Sequence, residues 1–174
     1  MTPSSNVKIT RDGAVLCVTF DRPDKKNALN RAMYTMMLHC DLVYVAPGAV
    51  FRLPFVDLGL VPEAASSLLL PRRIGMAKAS EFLLLGEAFG AGEAVRHGLA
   101  NAIVPAYELR SFAIERAARL AAKPRAAIAA TRRLMRGDGQ EILARIEEEA
   151  RLFSAAMRSD EARAAFAAFL GKER

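Results

Sequence analysis

Cysteine and histidine are scarce, at two of each in 174 residues, and tryptophan is absent. Cys17 and Cys40 make no disulfide framework, and neither has a Cys or His neighbour at the spacing of a zinc knuckle. His39 and His97 fall in different segments with no carboxylate pattern beside them, so both read as structural. No apolar run approaches the ~20 residues of a membrane span. Met1-Thr2-Pro3-Ser4-Ser5-Asn6 has neither the charged nor the apolar region of a signal peptide, and Gly171-Lys172-Glu173-Arg174 is not a peroxisomal address. A reducing cytoplasm is the expected compartment. Gly86, Gly90 and Gly92 lack the spacing of a dinucleotide fingerprint, and there is no Walker loop. Ser66-Ser67 follow Pro-Glu instead of forming a Gly-x-Ser-x-Gly elbow, which argues against a serine hydrolase.

What is present fits a soluble globular chain the size of one domain. Hydrophobic residues make up 52% and charged residues 25%, which excludes a disordered segment. The net charge of +6 admits nucleic acid, a membrane surface or an anionic small molecule. The basic residues are interspersed with acids, as in Arg145-Ile146-Glu147-Glu148-Glu149. The densest patches are the pairs Arg72-Arg73 and Arg132-Arg133, with no aromatic ladder beside them. That pattern disfavours nucleic acid and suits a phosphate-bearing metabolite.

Along the chain, Val7 to Thr10 alternates as a strand, and after the turn signal Asp12-Gly13 the run Ala14 to Phe20 reads as an apolar strand rich in β-branched residues, which predicts a hairpin. A helix is expected from Asn27, with helical pattern through Leu38. Leu42 to Ala46 and Val50 to Leu53 read as strands around the Pro47-Gly48 turn. Helices are expected over Ala64 to Leu70, stopped by Pro71, over Ala77 to Leu85, and over Gly92 to His97 with Gly98 as cap. Leu99 to Val104 reads as a small strand. From Tyr107 the pattern is helical, in four segments: Leu109 to Ala122, Arg125 to Met135, Gln140 to Met157 and Asp160 to Leu170. Ile142, Ile146, Ala150, Phe153 and Met157 form a stripe at helical spacing, read as a packing face.

One carboxylate stands out. Glu63 lies where the apolar stretch ending in Leu60-Val61-Pro62 meets the apolar helix opening at Ala64-Ala65-Ser66-Ser67. Two readings follow from the residues. The charge stabilises a helix N-terminus, or the group is a general base whose apolar flanks raise its pKa toward working pH.

Several segments, in order, resemble the crotonase superfamily of enoyl-CoA hydratases and isomerases. Arg22-Pro23-Asp24-Lys25-Lys26-Asn27-Ala28-Leu29 is similar to its "RPxxxNAL" opening, and Cys40-Asp41-Leu42-Val43 to its "CD-hydrophobic" strand. Leu58 to Ser67 with Leu70-Pro71-Arg72-Arg73-Ile74-Gly75 resembles its active-site loop and helix. Gly86 to Ala94, Gly98-Leu99-Ala100 and Val104-Pro105 resemble the conserved stretch that follows. The resemblance covers nearly the whole chain. It implies an α/β crotonase-like spiral over residues 1–106. A helical region over 107–174 would join copies into trimers or dimers of trimers.

The same resemblance shows a gap. Met33-Tyr34-Thr35 runs almost directly into Met36-Met37-Leu38-His39-Cys40-Asp41, and roughly 80 residues of the usual domain are missing between them. Both segments that supply the family's oxyanion-hole N–H groups belong to that stretch. The two places of the hydratase glutamates fall at Thr35 and Phe55, neither acidic. Glu63 instead matches the single catalytic glutamate of the Δ3,Δ2-enoyl-CoA isomerases, in a Pro-Glu-small-x-Ser-Ser context. The resemblance therefore implies an acyl-CoA thioester substrate and no separate cofactor, CoA being part of the substrate. It implies no metal, nucleic-acid or membrane partner. Glu63 is the expected catalytic residue, with Lys25, Lys26, Pro62 and Ser66 at the substrate. The alternative for the two lysines is a solvated loop. An isomerase, a hydratase and a non-catalytic acyl-CoA-binding or oligomer-forming relative all stand as functions.

Overall fold

A computed structural model gives the fold and describes residues 7–13, 15–20 and 36–171. The helix expected from Asn27, with Lys25, Lys26 and Thr35, lies outside the described residues. The strands are β1 (Val7–Asp12), β2 (Val15–Phe20), β3 (Tyr44–Val45), β4 (Val50–Phe51), β5 (Phe89–Gly90) and β6 (Ala102–Ile103). The helices are α1 (Ser66–Ile74), α2 (Met76–Ser80), α3 (Ala91–Arg96), α4 (Leu109–Ala121), α5 (Arg125–Arg136), α6 (Gln140–Ala156) and α7 (Asp160–Gly171). A 3-10 turn covers Val56–Leu58, and a π-helical turn, Glu81–Leu85, continues α2. These elements form two compact units, residues 1–51 with 89–139 and residues 52–88 with 140–174. Among the described residues no helix is long and apolar enough to cross a membrane.

In the first unit β1 and β2 make the expected hairpin, with Val7 opposite Phe20 and Asp12 opposite Val15. The tight connection is possible because Gly13 adopts a φ of 54°. The other strands are shorter than their apolar runs suggest. Among the described residues each pairs with one partner over two residues: β3 parallel to β6, β4 antiparallel to β5. Asn101 ends the β3–β6 pair from both sides, since its N–H donates to the Val43 carbonyl and its Oδ1 accepts from the Val43 N–H, each at 2.7 Å. Aromatic contacts fill the space between elements. Phe51 and Phe89 stack at 5.2 Å, and Tyr44 meets Phe112 of α4 edge-on at 5.1 Å. Arg136 of α5 donates to the carbonyls of His39 and Cys40 at 2.8 and 2.9 Å, which satisfies the end of the helical turn at 36–39.

The second unit buries Leu53, Phe55, Leu60, Leu70, Phe82 and Phe153. Here α1 departs from the sequence expectation at both ends. It starts at Ser66, because Ala64 and Ala65 take left-handed φ values of 54° and 60°. It also runs through Pro71 and stops at Gly75, whose N–H closes on the Pro71 carbonyl at 2.9 Å. Proline removes one helical N–H, a loss of about 3 kcal/mol in a helix interior. Packing outweighs it, since Leu70 immediately before is buried. The C-terminal helices α6 and α7 start at the residues expected and end within one residue of expectation.

Candidate active site

The segment leading to Glu63 is fixed by a close approach of backbones. Gly59 has a φ of 65°, and a Cβ there would lie 2.8 Å from the Ala162 nitrogen and 2.9 Å from its Cα. Only glycine allows both that conformation and that contact with the first turn of α7. Leu60 is buried immediately after it, and Val61, Pro62 and Glu63 are half-buried.

Glu63 opens a tight turn. The Ser66 N–H donates to the Glu63 carbonyl at 3.0 Å, around the left-handed pair Ala64-Ala65. Positive φ at both central residues makes this a type I′ turn, whose usual residues are Asn and Gly. A left-handed backbone costs a non-glycine residue roughly 1–2 kcal/mol. The alanine pair therefore stores about 2–4 kcal/mol that the turn cannot supply from its own preferences.

The opposing contribution comes from Glu149 on α6, which is 4% exposed. Its carboxylate accepts from the Ala65 N–H at 2.6 Å, the Ser67 N–H at 3.0 Å and the Ser67 hydroxyl at 2.5 Å. The Arg145 guanidinium donates to the same hydroxyl at 3.3 Å. Hydrogen bonds to charged groups contribute about 1.5–3 kcal/mol each, so these bonds suffice to hold the strained turn. They also satisfy two of the free N–H groups at the start of α1 and place negative charge on its positive end.

The expected site residues are thus placed as follows. Glu63 and Pro62 are half-buried in the turn. Ser66 is fully buried, and its hydroxyl has no hydrogen-bond partner among the described residues. Lys25 and Lys26 lie outside the described residues. Phe55 is 4% exposed, an apolar side chain in the core of its unit. The residue that sequence reasoning missed is Glu149. The stripe on α6 was expected to bury Ala150 and Met157, but both are exposed, and Glu149 occupies the buried position instead. It stands three residues after Ile146 and four before Phe153, so the spacing held the signal. Its membership in Glu147-Glu148-Glu149 hid it as part of a solvated face. Among the described residues no group of three or more Asp, Glu, His or Cys side chains is placed to hold a metal.

The family profile described as Enoyl-CoA hydratase/isomerase matches residues 34–174, beginning where the sequence pattern shows its gap. A probable enoyl-CoA hydratase from Rhodobacter capsulatus is 37% identical over 138 residues, covering 79% of this chain and 54% of the relative. Enoyl-CoA delta isomerase 2 from Rattus norvegicus is 35% identical over 109 residues, covering 63% of this chain and 28% of the relative. The chain therefore spans about half the length, or less, of these curated relatives. In fold it is similar to the crystal structure of an enoyl-CoA hydratase/isomerase from Pseudoalteromonas atlantica T6c, with a TM-score of 0.82 and 27% identity. That likeness covers 96% of this chain and 97% of the other.

Proposed function

Because the chain belongs to the enoyl-CoA hydratase/isomerase family, we propose that it is an isomerase-type member in which Glu63 alone carries the proton. In this reading the Glu63 carboxylate removes a C2 proton from a 3-enoyl-CoA thioester. The electron pair moves into the thioester carbonyl as a dienolate. The same proton is returned to C4, the double bond shifts from C3–C4 to C2–C3, and Glu63 is regenerated. One base is enough for this shift, whereas adding water needs a second group to activate it.

The observation that carries the reading is Phe55. It stands at the place that resemblance gives to the second hydratase glutamate, and it is buried and apolar. Glu63 remains as the acid in the family's isomerase context, on a turn held rigid by Glu149. Lys25 and Lys26 are the cations proposed for the CoA phosphates.

Turnover by the 174-residue chain is expected to be slow. The stretch that the family pattern lacks here includes both oxyanion segments, and each lost donor lowers the rate on the order of 10²–10³-fold. The test follows conjugation of a 3-enoyl-CoA by absorbance in the chain and in Glu63→Gln. We expect Glu63→Gln to abolish the shift while the fold and thioester binding persist. Turnover unchanged by that substitution would sink the assignment of the base. Thioester binding with no turnover in either protein would favour the reading as a non-catalytic acyl-CoA-binding relative.

A further inference from the structure

We infer that Glu149 is a positioning residue for Glu63, acting through the left-handed turn between them; this rests on the base role proposed above. The two central residues of the turn are alanines, which have no preference of their own for φ values of 54° and 60°. Something outside the turn must hold it, and α6 supplies groups that do so. Glu149 bonds the Ala65 N–H through Oε2, and the Ser67 N–H and hydroxyl through Oε1. Arg145, one helical turn earlier, donates to the Ser67 hydroxyl. Glu63 is the first residue of that turn, and its carbonyl is bonded to the Ser66 N–H. The direction in which its side chain leaves the backbone is therefore set by whether the turn stays left-handed. Burial of Glu149 excludes water as a substitute acceptor for the Ala65 N–H.

The experiment compares the 174-residue chain with Glu149→Gln on a 3-enoyl-CoA. Glutamine has the same size, but its NH2 faces a donor N–H, so the clamp is broken without a cavity. A small misplacement of a reacting group lowers a rate by about 10²-fold. We expect kcat to fall by about that factor, with KM within about threefold. Glu141→Gln, which makes the same charge change on the same helix at an exposed ion pair to Arg72, is the control and should leave kcat unchanged. The decisive variant adds Ala64→Gly and Ala65→Gly to Glu149→Gln. Glycine adopts the left-handed turn unaided, so kcat should recover about tenfold or more.

A folded Glu149→Gln protein with unchanged kcat overturns the inference. So does a loss that the glycine pair fails to restore, since Glu149 would then act by its charge. If turnover is too slow to follow, the carboxyl carbon resonance of labelled Glu63 replaces it. That resonance should move or split in Glu149→Gln, return with the glycine pair and stay unmoved in Glu141→Gln; an unmoved resonance in folded Glu149→Gln overturns the inference. If Glu149→Gln does not fold, Ser67→Ala takes its place, with an expected loss of about tenfold, and the same two readouts decide. Glu63→Gln is measured alongside. Unchanged turnover in that variant refutes the base, while the resonance still judges the positioning.

Discussion

Gly59→Ala tests the approach that brings the Glu63 segment against the start of α7. The added methyl would lie 2.8 Å from the Ala162 nitrogen and 2.9 Å from its Cα. Both are backbone atoms, so no side chain can rotate away. The Ala162 N–H is also the group that the Ser159 hydroxyl caps at 3.1 Å, so relief by moving α7 would disturb that cap. The φ of 65° adds roughly 1–2 kcal/mol for a residue with a Cβ. Overpacking of this kind adds typically about 1–3 kcal/mol. The sum is a loss of about 2–5 kcal/mol, a large share of an ordinary domain's stability. Urea unfolding followed by circular dichroism measures it, with Gly48→Ala as reference. At Gly48 a Cβ would meet nothing within 4 Å, so that substitution should stay within about 0.5 kcal/mol. Equal losses for the two variants, or a Gly59→Ala loss under about 0.5 kcal/mol, would refute the close approach.

Three further outcomes are expected. Ser66→Ala removes a fully buried hydroxyl that has no partner among the described residues; leaving such a group unsatisfied costs about 1–3 kcal/mol, so calorimetry should show a higher Tm, and a fall would mean that the hydroxyl is satisfied. Asp41→Asn breaks the ion pairs to Arg132 and Arg136 at 2.9 and 3.0 Å; the groups are partly exposed, so the loss should be below about 1 kcal/mol per pair and should shrink in high salt, whereas a salt-independent loss would contradict this. We also propose that the chain forms a homo-oligomer, because Leu134 and Met135 are 84% and 79% exposed on α5; light scattering should give a multiple of 18.9 kDa, and a monomer alone at micromolar concentration would count against it.

Much of the fold was legible because its signals are local. The α/β crotonase-like fold followed from ordered motifs, the hairpin from two strand-like runs around Asp12-Gly13, and the C-terminal helices from Lys123-Pro124 and Gly137-Asp138-Gly139. What local signals missed was decided by packing. Pro71 reads as a stop, yet α1 passes through it because Leu70 is buried beside it. Leu42 to Ala46 reads as a five-residue strand. Among the described residues only Tyr44 and Val45 pair, because β6 offers two residues and Asn101 ends the ladder.

The site shows the same division more sharply. Ala64-Ala65 has the highest helix propensity of any pair, so the sequence places the helix start there. In the structure both residues are left-handed, and the bonds that overrule their propensity come from a residue 84 positions along the chain. No window around Glu63 contains that information. A composition reading of Glu147-Glu148-Glu149 also discards it, because three consecutive acids look solvated while only the third is buried. The geometry of Glu63 is thus specified twice: weakly and unfavourably by its neighbours, strongly by a buried acid on α6. Better turn residues and an intact clamp are two independent routes to one backbone conformation. Only the clamp also brings a charge, so restoring the turn with glycine while the clamp is broken separates position from charge at Glu63.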